Sequence, residues 1–338
     1  MNRLFPTLLL LLFPVALWGC LDDASRGNPL DPLSDNFDGT GRLEGRVTNT
    51  FAPFEGLAGA EVRLTPGPHL AVTDSEGRFA FDRLTLAEPT FATTFTATII
   101  RDGYAITSDT VTVALGQTTA REVRLPGLPF VEGVTLTTIH TTRFWPPPQD
   151  VYALQAVALV GDVDGVADVD SVWLVVPDLD FRVPLAADQE AGRYTRSFTE
   201  AELPTATLQA LQGRAFVVDV LDRSGNVVRS RPTLLARIIE TTPAPGMPSG
   251  GTLVASNRPE LSWTPVRVAF PFTYRVEVWR AINSSIEELF WRQDDIPPTS
   301  TTLTVGINLP SGPYNWRLSI VDELGNWSRS VQASFVVP

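Results

Sequence analysis

Apolar and polar residues alternate in short runs from Gly41 onward, and turn-forming residues separate the runs. A period of two predicts strands that bury one face, and turns about every ten residues predict antiparallel neighbours. Turn sequences stand at Ala58-Gly59, Asp74–Gly77 and Asp102-Gly103. Residues 41–126 therefore predict a small antiparallel β-sandwich. The apolar positions that share one parity, and are expected in its core, are Leu43, Val47, Val62, Leu64, Phe79, Phe81, Val111, Val113, Val123 and Leu125.

The rest of the chain predicts two further bodies of the same class. Pro126–Pro129 marks the first boundary, and a proline- and glycine-rich linker, Thr241–Thr252, separates residues 130–240 from residues 253–338. The strands predicted in the first of these regions are Ala153–Val160, Ser171–Val176, Arg193–Phe198 and Arg214–Leu221. We therefore expect an all-β protein of three tandem β-sandwich domains.

These last two regions repeat each other at a constant offset. In both, an alternating strand runs into the sequence Asp-x-x-Gly-Asn, a turn in which Gly and Asn tolerate positive φ. A repeat of about one sandwich length predicts two tandem modules of related design. The matching residues are Phe216, Val218, Val220, Asp222, Gly225, Asn226 and Ser230 in one region and Trp316, Leu318, Ile320, Asp322, Gly325, Asn326 and Ser330 in the other.

Composition and charge narrow the possible functions. The 338 residues include 28 prolines and 24 glycines, which suits a turn-rich chain, and 43% hydrophobic residues suffice for several cores. A net charge of −12 disfavours nucleic acid as a partner, because a polyanion would be repelled. One cysteine excludes a disulfide framework and a multi-cysteine metal site.

The first twenty residues carry a different pattern. A positive start, Met1–Arg3, leads into the apolar run Leu4–Leu17, and Cys20 follows Gly19. A run of this length is short for a membrane span but suits the core of a signal peptide. The sequence Leu17–Cys20 resembles the lipobox of bacterial lipoproteins. That resemblance implies cleavage before Cys20, lipidation of its thiol and acylation of its new amine.

The same resemblance sets an expectation for location. Residues 1–19 are expected to be a signal peptide, and residues 20–40, which lack periodicity, a lipidated cysteine and a flexible tether. Two or more acyl chains, such as palmitate, hold a protein stably on a membrane. Leu21 follows the cysteine, which by resemblance favours the outer membrane. The domains would then be periplasmic or surface-exposed.

Four short sequences stand in order along residues 41–126: Gly45-Arg46-Val47, Gly59–Val62, Thr73–Phe79 and Asp102–Tyr104. Through them the region resembles a known family, the carboxypeptidase regulatory-like domain with a transthyretin-like fold. The resemblance implies a non-catalytic stalk or adhesion module rather than a peptidase.

The two repeated regions also carry resemblances. Residues 130–240 resemble an immunoglobulin-like bacterial domain. Residues 253–338 resemble a fibronectin type III-like sandwich, through Leu261–Trp263, Tyr274–Val278 and Trp316–Asp322. Tyr314, which enters a strand shortly after a turn, is the expected tyrosine corner of that sandwich.

Catalytic motifs are scarce. His69 lies in a Gly-Pro-His loop and His140 in a threonine-rich strand, and the chain contains no other histidine. It also contains no G-x-S-x-G, P-loop or G-x-G-x-x-G motif. We therefore predict that the protein is not an enzyme. The hydrolase hypothesis left open requires two carboxylates facing each other across a groove.

One acidic segment, Asp162–Asp170, has the chemistry of a cation site. Calcium prefers six to eight hard oxygen ligands, and acids at alternating positions around a glycine supply several from one loop. The expected ligands are Asp162, Asp164 and Asp168, with a structural role. The alternative is a solvated turn between strands. No other cofactor is expected.

Two tryptophans are the candidates for binding a ligand by stacking. The alternation of residues 272–278 places Trp279 on the polar face of its strand, and Trp291 on the next strand is expected beside it, with Phe290 on the opposite face. Two exposed tryptophans could stack on sugar rings or contact a protein. The alternative is that they cover a module junction or a sheet edge.

Taken together, the sequence predicts a non-enzymatic envelope lipoprotein with interaction modules for structural or adhesive protein binding. The alternative is a carbohydrate-binding surface lipoprotein, or an accessory subunit of a polysaccharide-processing outer-membrane assembly. In either case the membrane is reached through the lipid anchor, and the expected partner is an envelope protein or a glycan.

Overall fold

The computed structural model describes Ser34 and residues 39–87, 92–143, 149–283 and 286–338. The predicted signal peptide, residues 1–19, and Cys20 lie outside the described residues, as does the tether apart from Ser34, Gly39 and Thr40. The predicted all-β class is confirmed. In the described part of the chain no helix is long and apolar enough to span a membrane. The helices it does contain are 3-10 turns at Val166–Asp168, Pro177–Leu179, Glu200–Glu202 and Leu208–Leu211.

The chain divides into two compact units. The first comprises the described residues up to Thr48 together with Pro53–Arg101 and Ile106–Arg124. Its strands form two antiparallel sheets, in the orders β4-β1-β7 and β3-β2-β5-β6. The strands are β1 (Thr40–Asn49), β2 (Glu61–Thr65), β3 (His69–Val72), β4 (Arg78–Thr85), β5 (Ala92–Ile100), β6 (Thr107–Ala114) and β7 (Thr118–Leu125).

The strand parity predicted for this region is confirmed. All ten alternating apolar residues, from Leu43 to Leu125, are buried, with 8% exposure or less. Close packing explains why a glycine stands at position 45, in the Gly-Arg-Val sequence. A Cβ at Gly45 would lie 2.4 Å from the carbonyl oxygen of Arg121 and 2.6 Å from the Phe79 ring. The sequence pattern thus matches the need for close contact between β1, β4 and β7.

The second unit comprises Leu125–Pro338 together with Asn49–Ala52 and Asp102–Ala105. It includes both of the predicted C-terminal sandwiches. Its strands are β8 (Pro129–Arg143), β9 (Gln149–Asp162), β10 (Val169–Val176), β11 (Phe181–Ala187), β12 (Arg193–Thr199), β13 (Ala215–Asp222), β14 (Val227–Arg229), β15 (Thr233–Leu234), β16 (Ala244–Pro245), β17 (Thr252–Leu253), β18 (Glu260–Thr264), β19 (Phe272–Ala281), β20 (Glu287–Ile296), β21 (Thr302–Thr304), β22 (Gly312–Asp322), β23 (Trp327–Arg329) and β24 (Ala333–Val337).

Two separate hydrophobic cores lie within this unit. One is built mainly from β9, β10 and β13, and the other from β19, β22 and β24. We call the parts around these cores the second body and the third body. One sheet nevertheless passes through both, in the order β14-β13-β10-β11-β12-β9-β8-β23-β22-β19-β20. The crossing point is a parallel pairing in which Trp327, Ser328 and Arg329 of β23 oppose β8.

The segment predicted as a linker, Thr241–Thr252, is part of the third body. Ala244–Pro245 pairs with β18, and Thr252 begins a strand that pairs in parallel with β24. The carbonyl oxygen of Pro248 also accepts a hydrogen bond from the indole nitrogen of Trp316 at 2.8 Å. The segment is thus integrated into the third body, because the edges of β18 and β24 supply backbone partners that composition alone does not reveal.

Tyr314 confirms the expected tyrosine corner. Its ring is buried at the start of β22, and its hydroxyl donates a hydrogen bond to the carbonyl oxygen of Pro310 at 3.0 Å. The ring also stacks on Phe335, with 5.6 Å between the centroids. This arrangement is typical of immunoglobulin- and fibronectin-like sandwiches.

Candidate functional site

Asp162, Asp164 and Asp168 come together between β9 and β10. One carboxylate oxygen of each lies within 4.8 Å of the other two. The loop closes through backbone hydrogen bonds from Gly165 to Asp162 at 3.0 Å and from Asp168 to Gly165 at 2.8 Å. Gly165 has a φ of 103°, which favours glycine, so this residue lets the chain reverse. We call the three aspartates the acidic pocket.

The acidic pocket contains oxygens without a protein donor. Asp162 is 9% and Asp168 4% exposed. Oδ1 of Asp162 accepts the backbone N–H of Asp164 at 2.7 Å, and Oδ2 of Asp164 accepts that of Gly127 at 2.6 Å. Oδ2 of Asp162 and Oδ2 of Asp168 are buried and accept no hydrogen bond from any residue in the described ranges. A buried carboxylate oxygen in this state is costly unless a cation or a proton satisfies it.

The electrostatics follow from this burial. Burial, together with the neighbouring charges of Asp168, Asp164 and Asp222, raises the pKa of Asp162 to about 6 against the opposing backbone hydrogen bond from Asp164. Burial and the charges of Asp222 and Asp164 also raise the pKa of Asp168, while Arg223 opposes the shift. Negative charge is therefore concentrated at one buried point.

Asp222 stands behind the acidic pocket, a neighbour that sequence reasoning did not assign to it. It ends β13 directly opposite Val169, the first residue of β10. Both of its oxygens are engaged by Asn226, through the backbone N–H at 2.7 Å and the side-chain amide at 2.7 Å. Asp222 thus adds charge to the pocket while its hydrogen-bonding capacity serves its own turn. The repeated Asp-x-x-Gly-Asn sequence, to which Asp222 belongs, already indicated that this residue shapes a turn.

The equivalent turn in the third body has a different environment. Oδ2 of Asp322 accepts a hydrogen bond from the guanidinium of Arg237 at 2.9 Å. The side-chain oxygen of Asn326 accepts the backbone N–H of Thr138 at 2.8 Å. Sequence reasoning did not identify Arg237, because it lies 85 residues from Asp322 along the chain and belongs to no motif.

The two candidate tryptophans lie on opposite faces of their sheet. Trp291 opposes Val278, a core residue, whereas Trp279 opposes Leu289. The register shifts between these two pairs, so a β-bulge changes the parity of β20. Phe290 therefore packs against the same core as Trp291, which corrects the expectation that it lies on the other face. The structure does not bring the predicted stacking pair together.

Trp279 is half-buried under another side chain. The guanidinium carbon of Arg317 lies 5.1 Å from its ring centroid. Its indole nitrogen is buried without a hydrogen-bond partner among the described residues. Arg317 of the neighbouring strand β22 therefore covers part of the Trp279 ring.

Both histidines have structural surroundings. His140 is 2% exposed and stacks on Tyr152 with 4.3 Å between ring centroids. Its Nδ1 lies 3.0 Å from the carbonyl oxygen of Ile239 and 3.2 Å from Oγ of Ser328. In the first unit, His69 contacts the edges of two phenylalanine rings, with centroid distances of 6.0 and 6.5 Å.

The first unit has a surface groove of about 870 Å³ that touches β1, β3, β4 and β7. Its charged lining is mixed in sign. Arg42 pairs with Glu44 at 3.3 Å, and Arg121 donates two hydrogen bonds to Asp109. Since these arginines already have carboxylate partners, the groove does not present a strong field of one sign. The charged side chains that line it are Arg42, Glu44, Arg46, Asp74, Arg78, Arg121 and Glu122.

Known proteins similar to this chain are found among solved structures. No protein-family model and no curated protein sequence matches the chain. Among solved structures, the chicken CNTN1 FN1–FN3 domains match at 12% identity and a TM-score of 0.33, covering 84% of this chain and 92% of that one. Fibronectin(III)-like modules of Clostridium thermocellum CbhA match at 13% identity and a TM-score of 0.30, covering 62% and 93%.

A third match is longer than this chain. The Bacillus anthracis TIE protein matches at 10% identity and a TM-score of 0.26 over 88% of this chain, which spans 48% of that protein's length. These likenesses identify no ligand.

Proposed function

We propose that the chain is a non-enzymatic lipoprotein of the cell envelope, anchored through Cys20, whose β-sandwich bodies bind another protein in a structural or adhesive role. The lipobox-like Leu17–Cys20 supports the anchor, and the outer membrane is the expected location. The resemblance of residues 41–126 to carboxypeptidase regulatory-like domains supports a stalk or adhesion module rather than a catalyst.

The observation that carries the proposal is the joint between the second and third bodies. Asn326 accepts a backbone hydrogen bond from Thr138, and the Ser328 hydroxyl lies beside the His140 ring. All four residues are 2% exposed or less. A fully buried polar network resists bending, because opening it would leave polar groups without partners.

A stiff joint suits a protein that presents surfaces at a distance from its anchor. The strand pairing between β23 and β8 adds backbone hydrogen bonds to the same joint. Two bodies linked in this way move as one unit rather than independently of each other. The carbohydrate-binding alternative has less support, because Trp279 and Trp291 do not form a shared platform.

The test begins with the anchor. In cells with an outer membrane, the wild-type chain is expected to incorporate labelled palmitate and to sediment with the outer membrane. Cys20→Ser should lose both properties, while the matched control Asp22→Asn, two residues away, should keep both. A Cys20→Ser protein that stays in the membrane fraction would contradict the proposed anchor.

The test continues with the partner. A photo-crosslinking amino acid placed at exposed positions such as Leu289 or Leu324 should trap one defined protein on intact cells. Added polysaccharide should not compete. Loss of the crosslink in excess polysaccharide would instead favour a glycan ligand, and turnover of polysaccharide by the purified chain would refute the non-enzymatic role.

A further inference from the structure

We infer that the acidic pocket of Asp162, Asp164 and Asp168 is a calcium site that stabilises the second body. This site does not depend on the lipid anchor or on a protein partner. It would be filled in the isolated second unit as well as in the intact chain.

Geometry gives the first line of evidence. Three carboxylates from one loop converge within 4.8 Å. The loop closes through backbone groups and through one oxygen each of Asp162 and Asp164, which leaves Oδ2 of Asp162 and Oδ2 of Asp168 without a donor among the described residues. Carboxylates that merely decorate a solvated turn would point outward, whereas Asp162 and Asp168 point inward and are buried.

The two buried, unpartnered oxygens give the second line of evidence. Oδ2 of Asp162 and Oδ2 of Asp168 have no hydrogen-bond donor within the described part of the chain. Burying two carboxylates side by side without a cation is unfavourable both by desolvation and by mutual repulsion. A divalent cation between them would remove both penalties at once.

The repeat within the second unit gives the third line of evidence. In the third body, the buried carboxylate of Asp322 is neutralised by Arg237 at 2.9 Å. In the second body, Asp222 occupies the equivalent turn. Its negative charge adds to those of the carboxylates in the acidic pocket. In the third body a guanidinium thus neutralises the aspartate of the turn, whereas in the second body the aspartate of the turn lies beside three more carboxylates. A bound metal ion would play the same electrostatic part there.

The donor set favours calcium over other metals. All three ligands are carboxylates, and hard oxygen donors suit calcium, magnesium and manganese rather than zinc or copper. Three carboxylates offer up to six oxygens, and backbone carbonyls or water complete a shell of six to eight. Magnesium requires stricter octahedral geometry, which an irregular loop satisfies less readily.

Calcium would also tie the loop to a neighbouring segment. Asp164 already accepts the backbone N–H of Gly127, whose segment pairs with Tyr104 across an isolated bridge. Fixing the Asp164 carboxylate in a metal shell would therefore order this contact as well. Metal loss should increase cleavage by proteases at residues 163–167, which are exposed or half-buried.

The experiment uses the chain without residues 1–19, expressed in the cytoplasm, so that no lipid is attached. Protein freed of metal with EDTA and dialysed is titrated with CaCl₂ by isothermal titration calorimetry and then melted with and without calcium. We expect one site with a Kd of roughly 10⁻⁵–10⁻³ M. At 100-fold excess over Kd, Tm should rise by about 5–10 °C. Magnesium should give a smaller rise.

Variants separate metal binding from simple packing. Asp168→Asn keeps the shape of the side chain and removes its charge, so the metal-free Tm should rise while the calcium-induced shift is lost. Asp164→Asn should weaken calcium binding at least tenfold while still accepting the Gly127 hydrogen bond. The matched control is Asp170→Asn, an exposed acid of the same run, which should keep the full calcium response.

Three results would overturn the inference. The first is the absence of any heat or Tm change at 10 mM calcium. The second is an unchanged calcium response in both Asp168→Asn and Asp164→Asn. The third is an equal response to magnesium and calcium, which would refute the assignment to calcium. Since the protein lacks its anchor in this assay, the result is independent of whether the proposed envelope function holds.

Discussion

The second and third bodies contain the same turn, held by the same hydrogen bonds between its aspartate and its asparagine. In each, the aspartate accepts the backbone N–H of the asparagine, at 2.7 Å for Asp222 and 2.8 Å for Asp322, and the asparagine amide donates back to the aspartate. The glycines have φ of 89° and 85°. A short sequence signature is therefore enough to fix this local structure, whatever surrounds it.

The same turn nevertheless serves two purposes. In the third body Asn326 extends beyond its own turn to Thr138, and its aspartate is paired with Arg237. In the second body the turn lies beside the acidic pocket, and its aspartate increases the negative charge there. The lesson is that local hydrogen bonding sets the shape of a turn, while its neighbours decide whether it joins two bodies or borders an acidic pocket.

The largest expected effect on stability comes from removing the guanidinium group that pairs with Asp322 in the third body. Arg237→Met should lower the free energy of unfolding by about 3 kcal/mol, because it leaves the buried Asp322 carboxylate without its partner. Denaturant titration of the metal-free protein measures the loss. The matched control is Arg223→Met, an exposed arginine beside the other turn, which should change stability by less than about 1 kcal/mol. An equal loss of stability in Arg237→Met and Arg223→Met would contradict the idea that only the third-body turn depends on an arginine.

A middle-sized effect is expected from the two asparagines. Asn326→Ala removes the bond to Thr138 and that to Asp322, so we expect a loss of about 2–3 kcal/mol. Asn226→Ala removes one side-chain bond, to Asp222, and should cost about 1 kcal/mol. Chemical denaturation of both variants checks the difference. If Asn226→Ala proved the more damaging change, the joint would not depend on Asn326 as described.

The smallest expected effect on stability concerns Glu323, which follows Asp322 in the third-body turn. Its own backbone N–H and Arg237 hold the pKa of Glu323 below its ordinary value of 4.5. Because the folded-state pKa is the lower one, ionised Glu323 stabilises the fold at neutral pH, and this contribution declines as the pH falls below the ordinary pKa of 4.5 and through the folded-state pKa. Glu323→Gln should therefore be slightly less stable than wild type at pH 7, and the difference should shrink toward acid pH. A difference that grows toward acid pH would contradict this sign.

Much of the fold could be predicted because strands and turns are short-range features. The alternation of Leu43 and Val47, or of Val111 and Val113, reports directly which face of a strand is buried. Spacing also sufficed for the acidic pocket, since its three members lie within seven residues of one loop. The tryptophan pair was mispredicted because the register of β20 against β19 shifts at two places, and no residue pattern announces either shift.

The sequence by itself determined the all-β class, the buried faces of the strands, the two matching turns and the acids that share a loop. Each of these depends on residues close together in the chain, where steric limits and backbone hydrogen bonding leave few choices. Only the tertiary structure decided that β23 pairs with β8, that Arg237 neutralises Asp322, and that the supposed linker joins the third body. Those outcomes depend on which distant groups meet, and a buried polar group accepts whichever partner the packing of the whole unit brings to it.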